Sequence, residues 1–395
     1  MLGVAWVLAP TRMSRLQTRL LYFGLADDDH EQTDQERLVG RIAGGLSAVL
    51  GVAFEPGLRC DGTAVDADAP PSNRRRKFHR RASPSMESLN RTATDLVDEA
   101  LDFADELNVA VHQLDNESLV LDFGVDVPGG VEAGLMLAEI QTAGLATVQT
   151  GMVEVGGAPL TGVELSTDHP ALSLLCSQKA GWELSVDGFE GLGSGPARAL
   201  VAEEEEFQRV GYRDEFDLAV LCVESGDLPD ERVIEHVAET AGVAGSGVFL
   251  PAFAAASVTG SVTMAARAAE LAVFRLSELG YDPLDVLSAT GSAPVAPIAG
   301  DEETAIARTN DALAYGGRVH LVVDEPFDRF DEVPSTATDE YGTPFADIFA
   351  DADWDFYEVP ESVFAPATVT VDVVGGDTHV LGEVNEDILA ESFGL

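Results

Sequence analysis

Lysine is almost absent from this chain. Only Lys77 and Lys179 occur in 395 residues, and 23 basic side chains face 69 acidic ones, for a formal net charge of −46. Such a charge destabilises a compact state in dilute buffer, but the Debye length falls to about 3 Å at 1 M salt. The composition is therefore typical of a cytoplasmic protein from a salt-accumulating organism. It argues against nucleic acid as a partner, because phosphate binding needs a basic face.

Cysteines and long apolar runs are also scarce. Cys60, Cys176 and Cys222 are far apart and form no CxxC pair, which argues against a disulfide framework or a structural zinc site. No histidines or cysteines stand at ligand spacing, so we expect no metal. No run of about 18 apolar residues is present, and the sequence therefore predicts no membrane-spanning helix.

Residues 1–85 differ in composition from the rest of the chain. They hold 12 basic and 10 acidic residues, whereas residues 86–395 hold 11 basic and 59 acidic residues. The run NRRRKFHRR at residues 73–81 is foreign to an acid-adapted protein. It is either a basic targeting or nucleic-acid arm, or upstream sequence translated from a start codon chosen too early. The second interpretation makes Met86 the expected start.

From residue 86 onward, strand and helix patterns alternate, which indicates an α/β architecture with mixed α+β character. Alternating apolar residues around Gly-Gly pairs predict hairpins at residues 148–165 and 369–384. An apolar run predicts a buried strand at residues 216–223, and helical periodicity predicts one helix over residues 261–279. Another helix is expected at residues 170–179.

A domain boundary is expected near residues 210–215, after an acidic run and before the buried strand at residues 216–223. It divides the folded part into an N-terminal domain, residues 86–212, and a C-terminal domain, residues 213–395, with the chain free to cross between them. The acidic run itself, residues 203–206, is interpreted as a solvated surface. We find no internal repeat.

The stretch from residue 167 to residue 200 holds the first candidate site. It contains Lys179, whose presence in a lysine-poor chain indicates that the ammonium is used. The segment GSGPAR at residues 193–198 could cradle an anion between the backbone of Ser194 and Gly195 and the guanidinium of Arg198. An ordinary glycine-rich turn followed by a surface arginine is the alternative, since such turns often precede helices.

Arg267 and Glu270 form the second candidate site. They are three residues apart on the predicted helix, so their side chains share one face in the Ala-rich sequence TMAARAAELAVF. Arg275 and Glu278 continue the same stripe, and a solvated face with two exposed ion pairs is therefore the alternative. Three large apolar side chains on that stripe are unusual for an exposed face: Met264, Leu271 and Phe274.

Several motifs in one order resemble the archaeal methenyltetrahydromethanopterin cyclohydrolases, over essentially all of residues 86–395. The segment GSVTMAARAAELAVF at residues 260–274 is similar to that family's GSVxxxxRxxExxxF segment. Further motifs that carry the resemblance are GVDVPGG at 124–130, TDHP at 167–170, SQKAGW at 177–182, GSGPARA at 193–199, LPDE at 228–231, GYDP at 280–283, TNDALAYGG at 309–317, DFYEVP at 355–360 and FAPA at 364–367.

The resemblance implies a two-domain fold with a substrate cleft between the domains. It implies a one-carbon reaction in which water adds to the amidinium carbon of 5,10-methenyl-tetrahydromethanopterin and opens the ring to the 5-formyl form. Glu270 is then the expected general base and Arg267 its partner, while the acidic tail of the substrate is bound by Lys179, Ser194, Gly195 and Arg198. No cofactor is expected, because the electrophile is already cationic.

The resemblance also implies a homo-oligomer, often a trimer in this family. Two alternatives stay open at this point. The same reaction could act on tetrahydrofolate, because the choice of carrier depends on ring methyl groups and tail length. The chain could instead be a tetrahydropterin-binding protein that keeps the pocket without turnover.

Overall fold

Two mixed β-sheets organise residues 88–354 and 358–395, the part of the chain that the computed structural model describes. Together with their helices they confirm the predicted mixed α/β class. All these residues belong to one compact unit. The expected upstream extension, residues 1–85, and the expected start Met86 lie outside the described residues, as does the beginning of the DFYEVP motif.

The helices and strands follow one another in an irregular alternation. The strands are β1 (Ala110–Gln113), β2 (Leu119–Asp122), β3 (Ala146–Val155), β4 (Ala158–Thr167), β5 (Trp182–Val186), β6 (Phe189–Ser194), β7 (Ala219–Val220), β8 (Cys222–Glu224), β9 (Val248–Phe253), β10 (Val286–Pro294), β11 (Arg318–Val323), β12 (Thr368–Val373) and β13 (Thr378–Gly382). The α-helices are α1 (Leu89–Asp102), α2 (Ala104–Leu107), α3 (Val131–Gln141), α4 (Arg198–Val201), α5 (Glu205–Val210), α6 (Glu231–Ala241), α7 (Val258–Ala265), α8 (Ala268–Glu278), α9 (Glu302–Gly316), α10 (Phe345–Asp351) and α11 (Glu386–Phe393).

The first sheet has the order β1-β2-β9-β8-β6-β5, with β7 also paired to β9. Its central strands β2, β8 and β7 run parallel to β9, and the flanking pairs are antiparallel. The strand predicted at residues 216–223 is found here as β7 and β8. Five consecutive residues, 219–223, are fully buried, as expected of a strand that is covered on both faces.

The second sheet has the order β13-β12-β11-β10-β4-β3, and only β11 and β12 are parallel. Both predicted hairpins are confirmed, β3 with β4 and β12 with β13. Gly156 and Gly157 turn the first hairpin with φ values of 56° and 82°, a left-handed conformation that glycine adopts without strain. Helix α8 packs against β10 and β11 on one face of this sheet.

The two halves of the sequence exchange strands. The hairpin β3–β4 precedes residue 212 yet joins the sheet built otherwise from the second half of the chain. Strands β8 and β9 follow residue 213 yet pair with β6 and β2 from the first half. The chain thus crosses between the sheets, and the division into domains 86–212 and 213–395 stays a prediction.

The prediction of a single helix over residues 261–279 is wrong in one respect that matters for the site. The structure has two helices, α7 and α8, separated at Ala266 and Arg267. Helix α7 tightens at its end, where the Arg267 N–H bonds to the carbonyl of Met264, three residues back, at 3.0 Å. Helix α8 then starts against the second sheet, where a Cβ at Gly291 would lie 2.5 Å from the backbone nitrogen of Ala269.

The helix predicted at residues 170–179 is present, but as a π-helix, Ala171–Gln178. Its wider turn is visible where the Lys179 N–H bonds to the Leu174 carbonyl, five residues back, at 2.8 Å. Single π-helical turns are rare and are frequent at functional sites. No helix within residues 88–354 and 358–395 has the length and apolar character that crossing a membrane requires.

Candidate active site

Arg267 and Glu270 form a buried ion pair where α7 ends and α8 begins. Both the Nε and the Nη2 of Arg267 donate to one carboxylate oxygen of Glu270, Oε2, at 3.0 and 2.9 Å. The side chains are only 8% and 2% exposed. The predicted i, i+3 pairing is therefore present, and the alternative of a solvated face does not describe this pair.

The geometry leaves one polar atom free on each partner. The second carboxylate oxygen of Glu270, Oε1, accepts no hydrogen bond from the described residues, and neither does Nη1 of Arg267 donate one to them. A water molecule that binds both atoms would be held by an acceptor and a donor at once. That the pair orients the attacking water and accepts its proton stays a prediction.

Arg275 and Glu278 do not form the second ion pair of the predicted stripe. Arg275 donates from Nε to the carbonyl of Glu332 at 3.4 Å, and Glu278 lies 3.5 Å from Arg209. Glu278 is about one-third exposed. Of the two ion pairs in the predicted stripe, Arg267 with Glu270 is present and Arg275 with Glu278 is not.

Gln178 is a candidate site residue that sequence reasoning missed. It is fully buried at the end of the π-helix, and its Nε2 reaches the carbonyl of Ala266, next to Arg267, at 3.4 Å. Its Oε1 has no hydrogen-bond partner among the described residues. A buried acceptor without a partner costs free energy unless a ligand or water donates to it. The sequence around Gln178 carried no clear signal, because Ser177 and Lys179 flank it and are polar as well.

Lys179 follows Gln178 and lies in a cluster of charges. Its ammonium is 3.1 Å from a carboxylate oxygen of Glu204 and 2.8 Å from one of Glu206. It also stands 4.8 Å above the ring of Phe274 on α8, within reach of a cation–π interaction. The side chain remains 17% exposed, so a ligand can still approach it.

Arg198 is buried more deeply than a ligand-binding arginine needs to be. Its side chain is 1% exposed, with a bidentate contact to Glu204 at 2.8 and 2.6 Å. Its Nη1 donates to the carbonyls of Leu175 and Ser177, both at 3.2 Å. The donors are engaged within the protein, and the predicted contact of Arg198 with the substrate would require this network to open.

The acidic run at residues 203–206 is therefore not the uniformly solvated surface that we expected. Glu204 and Glu206 face inward, with side chains 25% and 7% exposed, because they neutralise Lys179 and Arg198. Burial raises the pKa of the Glu204 carboxyl, but the neighbouring Arg198 and Lys179 outweigh it and hold that pKa below its ordinary value.

Ser194 and Gly195 hold the adjoining loop in place. The Gly195 N–H donates to the Ser177 carbonyl at 2.7 Å, and the φ of 103° at this residue favours glycine. The Ser194 hydroxyl accepts from Nε2 of Gln141 at 3.0 Å and is 2% exposed. These predicted ligand contacts are thus occupied by the protein, and their role in binding stays a prediction.

Two further carboxylates, Glu302 and Glu224, had no signal in the sequence. Glu302, at the start of α9, accepts the N–H groups of Ala255 and Ala256 at 2.9 and 3.0 Å and so fixes the connection from β9 to α7. Glu224 ends β8. Burial raises the pKa of its carboxyl above the ordinary value, while Arg267 lowers it in part and Glu302 raises it further.

The loop after β2 supports the same region. Asp122 accepts four backbone N–H groups of residues 124–127, at 2.6 to 3.2 Å. A Cβ at Gly124 would lie 2.6 Å from the hydroxyl of Ser257, and one at Gly129 would lie 2.1 Å from that of Thr259. The glycines of this loop therefore allow it to press against the first turn of α7, which leads to Arg267.

Fold and site together define a mixed α/β protein with a buried Arg–Glu pair between two helices and a separate buried cluster of charges beside it. The chain belongs to the cyclohydrolase (MCH) family, whose model matches residues 88–393.

Curated relatives match along nearly their entire length. A methenyltetrahydromethanopterin cyclohydrolase from Halobacterium salinarum is 60% identical over 310 residues, which are 78% of this chain and 100% of the relative. Proteins of the same name from Methanocorpusculum labreanum and Methanospirillum hungatei are 41% and 38% identical, over 78% of this chain and 100% and 99% of their own lengths.

The charge cluster makes a prediction about stability. Replacing Glu204 with Gln removes the shared partner of Lys179 and Arg198, and we expect a loss of about 2–3 kcal/mol of unfolding free energy because a buried cation is left uncompensated. Chemical denaturation at multimolar KCl measures it. Glu203→Gln, at the exposed neighbour, is the matched control and should change stability by less than about 0.5 kcal/mol.

The same comparison has a pH dependence. The folded pKa of Glu204 lies below its unfolded value, so the contribution of this carboxylate is present near neutral pH and is lost as pH falls through the folded pKa. The difference between wild type and Glu204→Gln should therefore shrink in acid. An equal loss in Glu203→Gln, or no loss in Glu204→Gln, would contradict the role assigned to the cluster.

Proposed function

We propose that this chain is a cytoplasmic methenyltetrahydromethanopterin cyclohydrolase of one-carbon metabolism. It adds water to 5,10-methenyl-tetrahydromethanopterin and yields 5-formyl-tetrahydromethanopterin and a proton. Family membership and the relatives of that name support the reaction. The observation that carries the assignment of residues is the buried pair of Arg267 and Glu270, with one carboxylate oxygen left free.

Glu270 serves as the general base in this proposal. Because Oε2 is fixed by two donors of Arg267, the free Oε1 has one defined direction in which to meet a water molecule. As the water oxygen bonds to the cationic amidinium carbon, its proton passes to Oε1. A base in this position typically contributes about 10²–10⁴ in rate.

Arg267 has two tasks that follow from its geometry. Nε and Nη2 hold the carboxylate at 3.0 and 2.9 Å, and Nη1 is left to donate to the attacking oxygen. This orients the water before the reaction and keeps the oxygen in place when the tetrahedral intermediate forms. We propose that the reaction needs no cofactor, because the carbon under attack already carries positive charge.

We assign contacts with the rest of the substrate according to the exposed fraction of each side chain. Lys179, whose side chain is 17% exposed, is assigned to bind an acidic group of the substrate, while Arg198, Ser194 and Gly195 support it from behind. Gln178 is fully buried, and its unpartnered Oε1 is an acceptor for an internal water molecule beside Ala266.

Replacing Glu270 with Gln tests the base. The variant keeps the size and one acceptor of the side chain but cannot take a proton, so kcat should fall about 10²–10⁴-fold with KM nearly unchanged. The measurement is the loss of absorbance of methenyl-tetrahydromethanopterin in multimolar KCl.

Glu278→Gln is the matched control, since it removes one carboxylate at the exposed end of the same helix. Its turnover should equal that of wild type. Turnover by Glu270→Gln at the wild-type rate would remove Glu270 as the base. No decay with folded wild-type protein would favour a pterin-binding protein without turnover.

The carrier is tested by comparing the methenyl forms of tetrahydromethanopterin and tetrahydrofolate with the same protein. We expect kcat/KM to be at least about tenfold higher for the methanopterin form, a range that one or two methyl contacts can supply. For both substrates, the rate at which the methenyl form decays without enzyme is subtracted. A higher kcat/KM for the folate form would leave the proposed reaction unchanged but would make tetrahydrofolate the carrier.

We also propose a homotrimer, as the resemblance to the family implies. The edge strands β3 and β13 of the second sheet expose Met152 and Val380, 72% and 78% accessible, which suits contact between copies. Light scattering in multimolar KCl should give a mass near three times the 41.7 kDa of the full chain. A mass of one chain would contradict this assembly.

A further inference from the structure

Phe274 brings an aromatic ring to the cluster of charges around Lys179. The ammonium of Lys179 stands 4.8 Å from the centroid of this ring, within the range of about 6 Å in which a cation–π interaction is favourable. The ring is only partly exposed, because it packs against the hydrophobic core that includes the second sheet. Phe274 belongs to α8 and Lys179 follows the π-helix, so the contact joins two separate segments of the chain.

The contact lies on the face of α8 that carries Glu270. Residues four apart on an α-helix are neighbours on one face, and Phe274 follows Glu270 by four positions. The end of the π-helix meets this part of the chain at a second point, where Nε2 of Gln178 reaches the carbonyl of Ala266 at 3.4 Å. Gln178 and Lys179 therefore contact the chain before and after Glu270. The ring thus helps to fix the ammonium relative to the proposed base.

The ring attracts the ammonium without adding negative charge. The cluster already contains two cations, Lys179 and Arg198, and two carboxylates, Glu204 and Glu206, whose formal charges cancel. A third carboxylate in the place of Phe274 would leave the cluster negative and would repel an acidic group of a ligand. An aromatic ring attracts an ammonium through its quadrupole and leaves the charge balance unchanged.

The ammonium of Lys179 has three N–H donors. Its contacts with Glu204 and Glu206, at 3.1 and 2.8 Å, engage at most two of them, and the side chain remains 17% exposed to a ligand. At 1 M salt the Debye length is about 3 Å, so a charge attracts an acidic group only at close range. The position of the ammonium therefore decides whether it binds that group.

We propose that Phe274 is a positioning residue for Lys179: its ring holds the ammonium at the place where an acidic group of the substrate binds. The inference rests on the proposed function and assigns to Phe274 no contact with the reacting atoms. Loss of the attraction between ring and ammonium should weaken substrate binding and leave proton transfer to Glu270 unchanged.

The contact itself is tested by NMR without substrate. Because the chain contains only two lysines, protein labelled with [13Cε]lysine gives the signals of two side chains, and those lost in Lys179→Arg belong to Lys179. Protons above the face of a ring resonate upfield. We expect upfield Hε signals for Lys179 that return to the ordinary lysine position in Phe274→Leu. Signals at the same position in both proteins would overturn the proposal.

The consequence for binding is tested with phenylalanines fluorinated at one, two and three ring positions, placed at residue 274. Fluorine withdraws charge from the ring face and leaves the shape of the ring nearly unchanged, so the attraction to the ammonium weakens stepwise. We expect KM for methenyl-tetrahydromethanopterin in multimolar KCl to rise stepwise, about two- to fivefold in total, with kcat unchanged. Phe274→Tyr keeps the ring and should keep the wild-type KM.

Two controls separate the charge effect from packing. Phe349, whose ring stacks on Trp354 with centroids 5.4 Å apart, is the matched position, and the same fluorinated residues there should leave KM unchanged. In the Lys179→Met background, the fluorine series at residue 274 should have no effect, because no ammonium is left to attract. A role of Phe274 in packing alone predicts the same KM throughout the series, since the shape of the ring is kept.

The outcomes distinguish this inference from the proposed function. If wild-type protein does not convert methenyl-tetrahydromethanopterin, the proposed function fails, while upfield Lys179 signals would still support the contact. If wild type converts it but KM stays constant over the fluorine series, or rises equally in the Lys179→Met background, only the role of Phe274 is overturned. Phe274→Leu, which should raise KM at least as much, replaces the series if the fluorinated proteins do not fold. Failure of all these variants to fold would assign Phe274 to the core and overturn the inference.

Discussion

The buried ion pair of Arg267 and Glu270 is the interaction on which the rest of the site depends. Two charges that leave water lose several kcal/mol of solvation each, and their attraction offsets this only when the geometry is held. Two side chains hold the backbone around the pair. Glu302 binds the connection before α7, and Gln178 bonds to the carbonyl of Ala266. A rigid site is thus assembled from segments that are far apart in sequence.

The second group of buried charges bears on the prediction that residues 193–198 bind an anion. Arg198 has its donors turned inward, and Glu204 stands between it and Lys179. A guanidinium that is satisfied by its own protein orders the π-helix through the carbonyls of Leu175 and Ser177. That order places Gln178 and Lys179, and the arginine therefore affects the site through its neighbours.

Periodic patterns of apolar and polar residues predicted those structural features that depend on residues close together in the sequence. The two hairpins, the buried strand after residue 215 and the spacing of Arg267 and Glu270 follow from periods of two and of 3.6 residues. The break at Arg267 did not, because the helical periodicity runs through residues 261–279 without interruption. The family resemblance, rather than periodicity, singled out the pair. Gln178 was missed because its hydrogen bond to Ala266 joins residues 88 positions apart in the sequence.

Dissolved salt screens the surface carboxylates far more than it screens the buried pair of Arg267 and Glu270. At molar salt, mobile ions screen the surface carboxylates within about 3 Å, which removes most of the repulsion from a net charge of −46. Arg267 and Glu270, 8% and 2% exposed and 2.9 Å apart, leave little room for such ions between them. Surface charge can therefore accumulate in response to salt while the field at the buried pair is set by the few fixed charges around it.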